Sequence, residues 1–318
     1  MIYIEKYSAT NECDVEKFLS GFAPGIDYQQ TWPIVMVSGS RKDRDAFFAI
    51  GLDYHYKKLR TKPGNCANGG VESMYAWMVD LLGMRGMTYS TLSACTSGAY
   101  ALFQGWTISK CVGTPVVVVC ADIMSDFSDF YFRSIGALHF STGIPFDKNS
   151  IGFRPGQGQA FFVVSAEPIN PVASISTMRF LTQPNIRTGV GDIDEINQMF
   201  DGVDISNVGW WNAHAPGTQM GDKAEYELFK RNCPQDIPIT SFKGWLGHSL
   251  ASNYMIELGW ALKHLENNHI KGNVGIQEPI NSDPRIIQTD VSAINKKFVK
   301  FSLGFGGKYA LSVVESFS

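Results

Sequence analysis

The chain has 318 residues, 44% of them hydrophobic and 18% charged, with a formal net charge of −3. This is globular composition with enough apolar material for a sizeable core, and the charge balance gives no support for nucleic acid as a partner. The six cysteines (Cys13, Cys66, Cys95, Cys111, Cys120 and Cys233) show no CxxC pair and no metal-ligand spacing, so a reduced, cytoplasmic protein with no bound metal is expected. The opening MIYIEKYSATNE lacks the basic and apolar regions of a signal peptide, and no apolar run reaches the roughly 20 residues of a membrane span.

In chain order, the first clear β-rich run after the opening strand is PIVMVSGS (33–40), followed by a helical pattern over 69–83. A strand is predicted at MTYSTLSA (87–94), then a helix at CTSGAYALFQGWTISK (95–110), then a strand at TPVVVVCAD (114–122). Val116–Cys120 is apolar without alternation, as in a strand buried on both faces. Residues 143–158 are rich in Gly, Pro and Asp and read as an ordered connection. Strands are predicted next at 158–167, 172–181 and 208–214, a helix at 221–232, a strand at 237–242 and a long helix at 248–268. KFVKFSLG (297–304) and KYALSVVES (308–316) close the chain as two strands. Strands alternating with helices argue for an α/β fold. There is also a short internal echo: Cys95 opens one apolar helix that reaches Gly105-Trp106, and His248 opens another that reaches Gly259-Trp260. It fits a chain of two similar halves, each placing a reactive residue at a helix start.

Three polar islands carry the chemistry. In ACTSG, Cys95 sits at a strand–turn–helix junction, where the helix dipole and unpaired N–H groups favour a thiolate. Small neighbours leave room for a carbonyl substrate. A buried structural cysteine is the simpler alternative. In WWNAHAPGTQMGDKAE (210–225), His214 follows an apolar strand, at the end where α/β sites gather. Taken alone, such a histidine more often satisfies a buried backbone group. In SFKGWLGHSLAS (241–252), Lys243 precedes His248 across a glycine-containing turn. A lysine there on its own reads as solvated. Beside a histidine it suits an orienting charge or an ion pair, for which Glu225 is the candidate carboxylate. One cysteine and two histidines on separate element ends suit thiol-based acyl chemistry.

These islands, with GFGG (304–307) and FDKNSIGFRPGQG (146–158), resemble in order the motifs of the β-ketoacyl–acyl carrier protein synthases of the thiolase superfamily. The matches run from about residue 63 to the C-terminus. The third catalytic position is His248, as in elongating Cys-His-His enzymes, and no cysteine follows Cys233, which disfavours a thiolase. The resemblance implies a thiolase-like fold of two similar βαβαβαββ halves, 1–168 and 169–318, layered αβαβα and packed as one body. It implies Cys95 as acyl acceptor, His214 and His248 as donors to an enolate oxygen, and Lys243 with Glu225 as a supporting pair. Phe305 would be the gate, its backbone N–H joining that of Cys95 in an oxyanion hole, while Thr218, Gly306 and Gly307 would meet substrate. No cofactor is implied beyond the phosphopantetheine of the acyl carrier protein. The implied partners are that carrier and a second ketosynthase-like subunit, identical or not. Lys62, Arg133 and Lys308 are candidate carrier contacts.

The chain departs from the pattern at several points. The N-terminal region is short for an elongating synthase, so chain-length preference does not transfer. Pro216 stands for a pantetheine-contacting threonine, Lys308-Tyr309 for Thr-Asn, Gln157 for an acid, and Ser150-Ile151 for Arg-Asp. The expected activity is decarboxylative Claisen condensation in fatty acid or polyketide assembly. The alternatives are a catalytic subunit that needs a partner, an acyltransferase or thioester hydrolase on the same scaffold, and a non-enzymatic carrier binder.

Overall fold

The computed structural model describes residues 1–10, 34–38, 88–122, 126–141, 143–233 and 236–318. The helix expected at 69–83, Lys62 and most of the N-terminal region in question lie outside the described residues.

The described strands are β1 (Ile2–Thr10), β2 (Ile34–Ser38), β3 (Thr88–Thr91), β4 (Val116–Asp122), β5 (Gly158–Ser165), β6 (Ala173–Thr182), β7 (Trp210–Asn212), β8 (Ile239–Thr240), β9 (His269–Ile270), β10 (Val291–Ser292), β11 (Lys297–Gly304) and β12 (Lys308–Ser316). The helices are α1 (Ser97–Val112), α2 (Asp126–Ser134), α3 (Ile193–Asn197), α4 (Gln219–Asn232), α5 (Lys243–Leu246) and α6 (Asn253–Glu266). The two closing strands match their expected limits. The helix expected from His248 starts later, because a 3-10 turn at Leu250–Ser252 separates the histidine from α6. Lys243 lies in the short helix α5 and not in a loop.

Ten strands form one sheet in the order β3-β2-β4-β5-β1-β6-β12-β11-β7-β8, and β9 pairs with β10 apart from it. The order is self-similar about the β1–β6 junction. In the first five strands, β2 runs parallel to β3 and β4, and β5 is antiparallel to β4 and β1. In the second five, β7 runs parallel to β8 and β11, and β12 is antiparallel to β11 and β6. The fold is the expected thiolase-like α/β arrangement, and the echo between residues 95–106 and 248–260 reflects it. β4 is buried at every position, as its unalternated apolar run requires.

Two clusters make most of the core. The larger packs α1 and α6 against strands of both halves, including Val116, Phe162, Trp210 and Phe298. The second packs α4 against Trp211, Val299, Phe301 and Leu311 on the other face of the second half. Side chains alternate along β11 as a strand requires. Phe298 joins the central cluster, Val299 and Phe301 join the outer one, and the interleaved Lys300 and Ser302 are also buried, at 0% exposure. Gly98 lets α1 meet α6 closely, since a Cβ there would lie 3.0 Å from Met255 Cγ. The central helix pair thus carries Cys95 and His248 to one place.

Candidate active site

Cys95 sits on a turn built by its neighbours' hydroxyls. Thr96 Oγ1 donates to Ser93 O at 2.7 Å, Ser97 Oγ donates to Ala94 O at 2.6 Å, and Ser93 N donates to Ser97 Oγ at 2.6 Å. Ala94 is held at φ 48°, a left-handed conformation that a residue with a Cβ adopts only under constraint. This accounts for ACTSG: the small and hydroxylated residues tie the turn that presents the thiol.

His214 lies just past β7. Its position is set from beneath by Glu225 on α4, whose carboxylate accepts from His214 N at 2.9 Å, Ala215 N at 2.7 Å and Trp211 Nε1 at 3.0 Å. One turn earlier on α4, Asp222 accepts from Phe146 N at 2.8 Å and Gly217 N at 3.1 Å, which ties the 143–158 connection to the histidine loop. His248 is clamped by that same connection. His248 N donates to Arg154 O at 2.8 Å, and Gly156 N donates to His248 O at 3.0 Å. The approach needs Gly247, which has φ 73° and where a Cβ would meet Pro155 O at 2.3 Å.

The three expected catalytic residues come together. Each offers one ligand atom, and these atoms lie within 4.8 Å of one another. The two imidazoles meet edge to face at 5.2 Å between centroids. Ser302 Oγ touches both sides, donating to Cys95 O at 3.2 Å and lying 3.5 Å from His214 Nδ1.

The protonation states follow from burial and charge. Burial pushes the Cys95 thiol up to about 12, opposed by the Lys243 charge and by the backbone N–H groups of Phe305 and Cys95. The expectation of a resting thiolate is therefore corrected. The helix-end field is outweighed by desolvation, and the thiol keeps its proton until a base removes it. Burial also pulls both imidazoles well below their ordinary value, and the Lys243 and Lys300 charges add to the effect. At neutral pH the site holds a thiol and two neutral imidazoles.

The expected pairing of Lys243 with Glu225 is also corrected. Lys243 is 1% exposed, and its Nζ donates to Glu257 Oε1 at 2.8 Å and to the carbonyl of His214. Glu225 is occupied by three N–H donors and needs no lysine partner. Glu257 escaped the sequence reading, as did Lys300, which donates to Glu257 Oε2 at 2.6 Å. Each is a lone charge in an otherwise apolar run, MIELGWAL and KFVKFSLG, and that is the signal that could have found them.

The thiol and both imidazoles open on a cavity of about 720 Å³. Phe305 lines it, with its ring 6.0 Å from Phe132, and Phe153 stands edge-on to His248 at 5.1 Å. Thr218 and Pro216 also line it. Gly306 and Gly307 do not, which corrects their expected place at the substrate. Gly306 is exposed and its N–H donates to Arg187 O at 3.1 Å, while Gly307 packs behind the loop, where a Cβ would meet Gln183 O at 2.3 Å. Gln157 is exposed, and buried Ser150 donates to Gly217 O at 2.5 Å. Tyr309 is buried and its hydroxyl accepts from Gly191 N at 2.9 Å. Arg133 is already paired with Asp129 at 2.8 Å, and Lys308 is half-buried at the start of β12. No helix among the described residues is long and apolar enough to cross a membrane.

Comparison with known proteins agrees with this geometry. Residues 181–277 match the family model for the beta-ketoacyl synthase C-terminal domain. The tetracenomycin polyketide synthase ketoacyl synthase alpha subunit of Streptomyces glaucescens is 25% identical over 262 residues, which is 73% of this chain and 61% of that protein. The chain spans about three fifths of the length of the first curated relatives it matches. Among solved structures, a beta-ketoacyl synthase from Burkholderia phymatum superposes with a TM-score of 0.75 at 18% identity, over 94% of this chain and 79% of that one. The ketosynthase ApeO of Xenorhabdus doucetiae, solved in complex with its chain length factor ApeC, superposes at 0.73 with 17% identity, over 94% and 78%. A self-similar sheet with a thiol and two imidazoles at its centre is thus similar in fold to these ketosynthases, and the sequence resemblance to polyketide ketoacyl synthases extends over most of the chain.

Proposed function

We propose that the protein is a condensing enzyme that joins a Cys95-bound acyl group to a malonyl unit in polyketide or fatty acid assembly. The observation that carries this reading is the meeting of Cys95, His214 and His248 within 4.8 Å on an apolar cavity. In the first stage an acyl thioester of the carrier's phosphopantetheine enters. A neutral imidazole takes the Cys95 proton, and sulfur attacks the carbonyl. The carrier thiol leaves with the proton, and Cys95 holds the acyl group as a new thioester. The backbone N–H groups of Cys95 and Phe305, which favour the thiolate form of Cys95, would donate to the oxygen that becomes negative.

In the second stage a malonyl thioester replaces the departed carrier. Its carboxylate carbon–carbon bond breaks, carbon dioxide leaves, and the electron pair moves to the thioester oxygen as an enolate. Two neutral imidazoles can donate N–H groups to that oxygen, which imidazolium or carboxylate groups could not do without a different charge balance. The enolate carbon attacks the Cys95 thioester. The new carbon–carbon bond forms, the carbon–sulfur bond breaks, and the sulfur takes up one proton from solvent, which balances the carboxylate charge lost with carbon dioxide. No oxidant, metal or organic cofactor enters this balance.

On the same reading, the chain divides into halves at 168/169, the donor is an acyl carrier protein, and the working assembly is a dimer. Several structural neighbours were solved as a ketosynthase with a chain length factor or an acyl carrier protein, which favours a ketosynthase-like second subunit. The test is intact-protein mass spectrometry after mixing with acyl-pantetheine thioesters of several lengths. An acyl mass on wild type that is absent from Cys95→Ala supports the reading, and adding malonyl thioester should then release a ketoacyl product. Acylation followed only by hydrolysis would favour a thioester hydrolase, and no acylation with or without a partner subunit would favour a carrier binder.

A further inference from the structure

Lys300 lies in the middle of β11, where its neighbours are Phe298, Val299, Phe301 and Ser302. It is 0% exposed and faces the central helix pair, with Nζ 5.5 Å from the centroid of the Tyr254 ring. An ammonium costs several kcal/mol to bury unless it is paired. Its partner is Glu257 Oε2 at 2.6 Å, and the other oxygen of that carboxylate accepts from Lys243 at 2.8 Å. Two buried lysines thus share one buried glutamate.

Sharing has a geometric and an electrostatic consequence. A lone lysine–glutamate pair is free to settle with both carboxylate oxygens on one ammonium. Here Lys300 occupies one oxygen, so Lys243 is confined to the other, and its remaining donors turn toward the carbonyl of His214. The cluster of Lys243, Lys300 and Glu257 also carries one surplus positive charge. A second buried carboxylate, Glu225, accepts from main-chain N–H groups beneath His214. The charges of Lys243 and Lys300 both act on the two histidines.

We infer that Lys300 is a positioning residue of the condensation site, which through Glu257 directs Lys243 onto the main chain of His214 and supplies the positive field behind the two imidazoles. The inference rests on the proposed condensation, and it accounts for why an apolar strand would carry a buried lysine next to Ser302. The charged groups acting on the two histidines come from every side. His214 faces Lys243 from α5, Lys300 from β11, Glu225 from α4 and His248. His248 faces Lys243 and Lys300, with Asn253 of α6 opposing them by a hydrogen bond. Asp122 acts on Cys95 from the end of β4. Burial is the largest influence on both imidazoles, and Lys300 adds to it.

The test compares wild type with Lys300→Met, which keeps the volume and removes the charge, and with Lys300→Arg, which keeps the charge. Decarboxylation of malonyl-pantetheine is followed between about pH 6 and pH 8, and the imidazoles are titrated independently by 15N NMR in histidine-labelled protein. The expected result is a flat profile for wild type and Lys300→Arg. Lys300→Met should raise the histidine titration by up to about one pH unit, with a fall in rate at the acid end only as far as the imidazoles come to titrate there. A folded Lys300→Met with a flat profile and unmoved imidazoles would overturn the inference. If Lys300→Met does not fold, Lys300→Gln, which can still donate to Glu257 without the charge, takes its place with the same two readings and the same overturning result. Wild type without decarboxylation would instead count against the condensation reading, while the NMR titration still reports on Lys300.

Discussion

The two five-stranded halves share a strand order and equip the site in opposite ways. The first half delivers one uncharged thiol, held by a main-chain turn in which Ala94 is strained and the Thr96 and Ser97 hydroxyls tie the backbone. The second half delivers two imidazoles over a bed of buried charge made by Asp222, Glu225, Lys243, Glu257 and Lys300. A nucleophile that must be reached by substrate is fixed by the backbone, which leaves its side chain open. Groups that must hold a developing anion are fixed by charges packed behind them. Changes in the first half should therefore cost activity with little loss of stability, and changes in the second should cost both.

The largest expected effect is at the thiol. Cys95→Ala should lower acyl transfer by at least about a thousandfold, while thermal unfolding moves by the equivalent of less than about 1 kcal/mol. A comparable loss of stability would break the contrast. His214→Ala should slow malonyl decarboxylation by about 10²- to 10³-fold, measured as carbon dioxide release, since it removes one of two enolate donors. Glu257→Gln leaves two buried lysines without their carboxylate, so denaturant unfolding should report a loss of about 3–5 kcal/mol. Asp222→Asn should do less. The amide oxygen can accept from Phe146 N or Gly217 N but places a donor where the other bond was, at a cost of about 1–3 kcal/mol.

The pH dependence sharpens the same comparison. A depressed imidazole is neutral throughout the range above its own value, and the thiol at about 12 is protonated throughout the range below. Neither group titrates near neutrality, so the acylation rate should show no limb from them between about pH 6 and pH 8. A rate that climbs across that interval with the slope of one proton would mean instead that the thiol gives its proton to solvent and not to a neutral imidazole.

Much of this was readable in the sequence, for reasons that differ by element. β4, β11 and β12 announce themselves because strands buried on both faces show dense apolar runs with turn residues at their ends. The proposed catalytic residues were readable because small and glycine residues crowd around them, at ACTSG and at GWLGH. The helix after His248 was drawn too long, since the left-handed Leu250 at φ 45° and the 3-10 turn leave no mark in hydrophobic periodicity. The ion pairing was misread because spacing along the chain says little about which buried charges meet. Glu225 is nearer in sequence to His214 and does hold it, but through main-chain N–H groups, while Lys243 reaches forward to Glu257 on the next long helix. Gly307 shows a related difficulty: a glycine needed for close packing behind a loop looks the same, in sequence, as one needed beside a substrate.

The measurement that bears most directly on the central claim is carbon–carbon bond formation itself. Wild-type protein acylated at Cys95 would be given 13C-labelled malonyl-pantetheine, with its proposed partner subunit present if it co-purifies, and the products separated by mass. The account predicts one labelled ketoacyl thioester for each carbon dioxide released, with no product from Cys95→Ala. Acyl-Cys95 that persists, or is hydrolysed, while malonyl thioester loses carbon dioxide without extending the chain would contradict it.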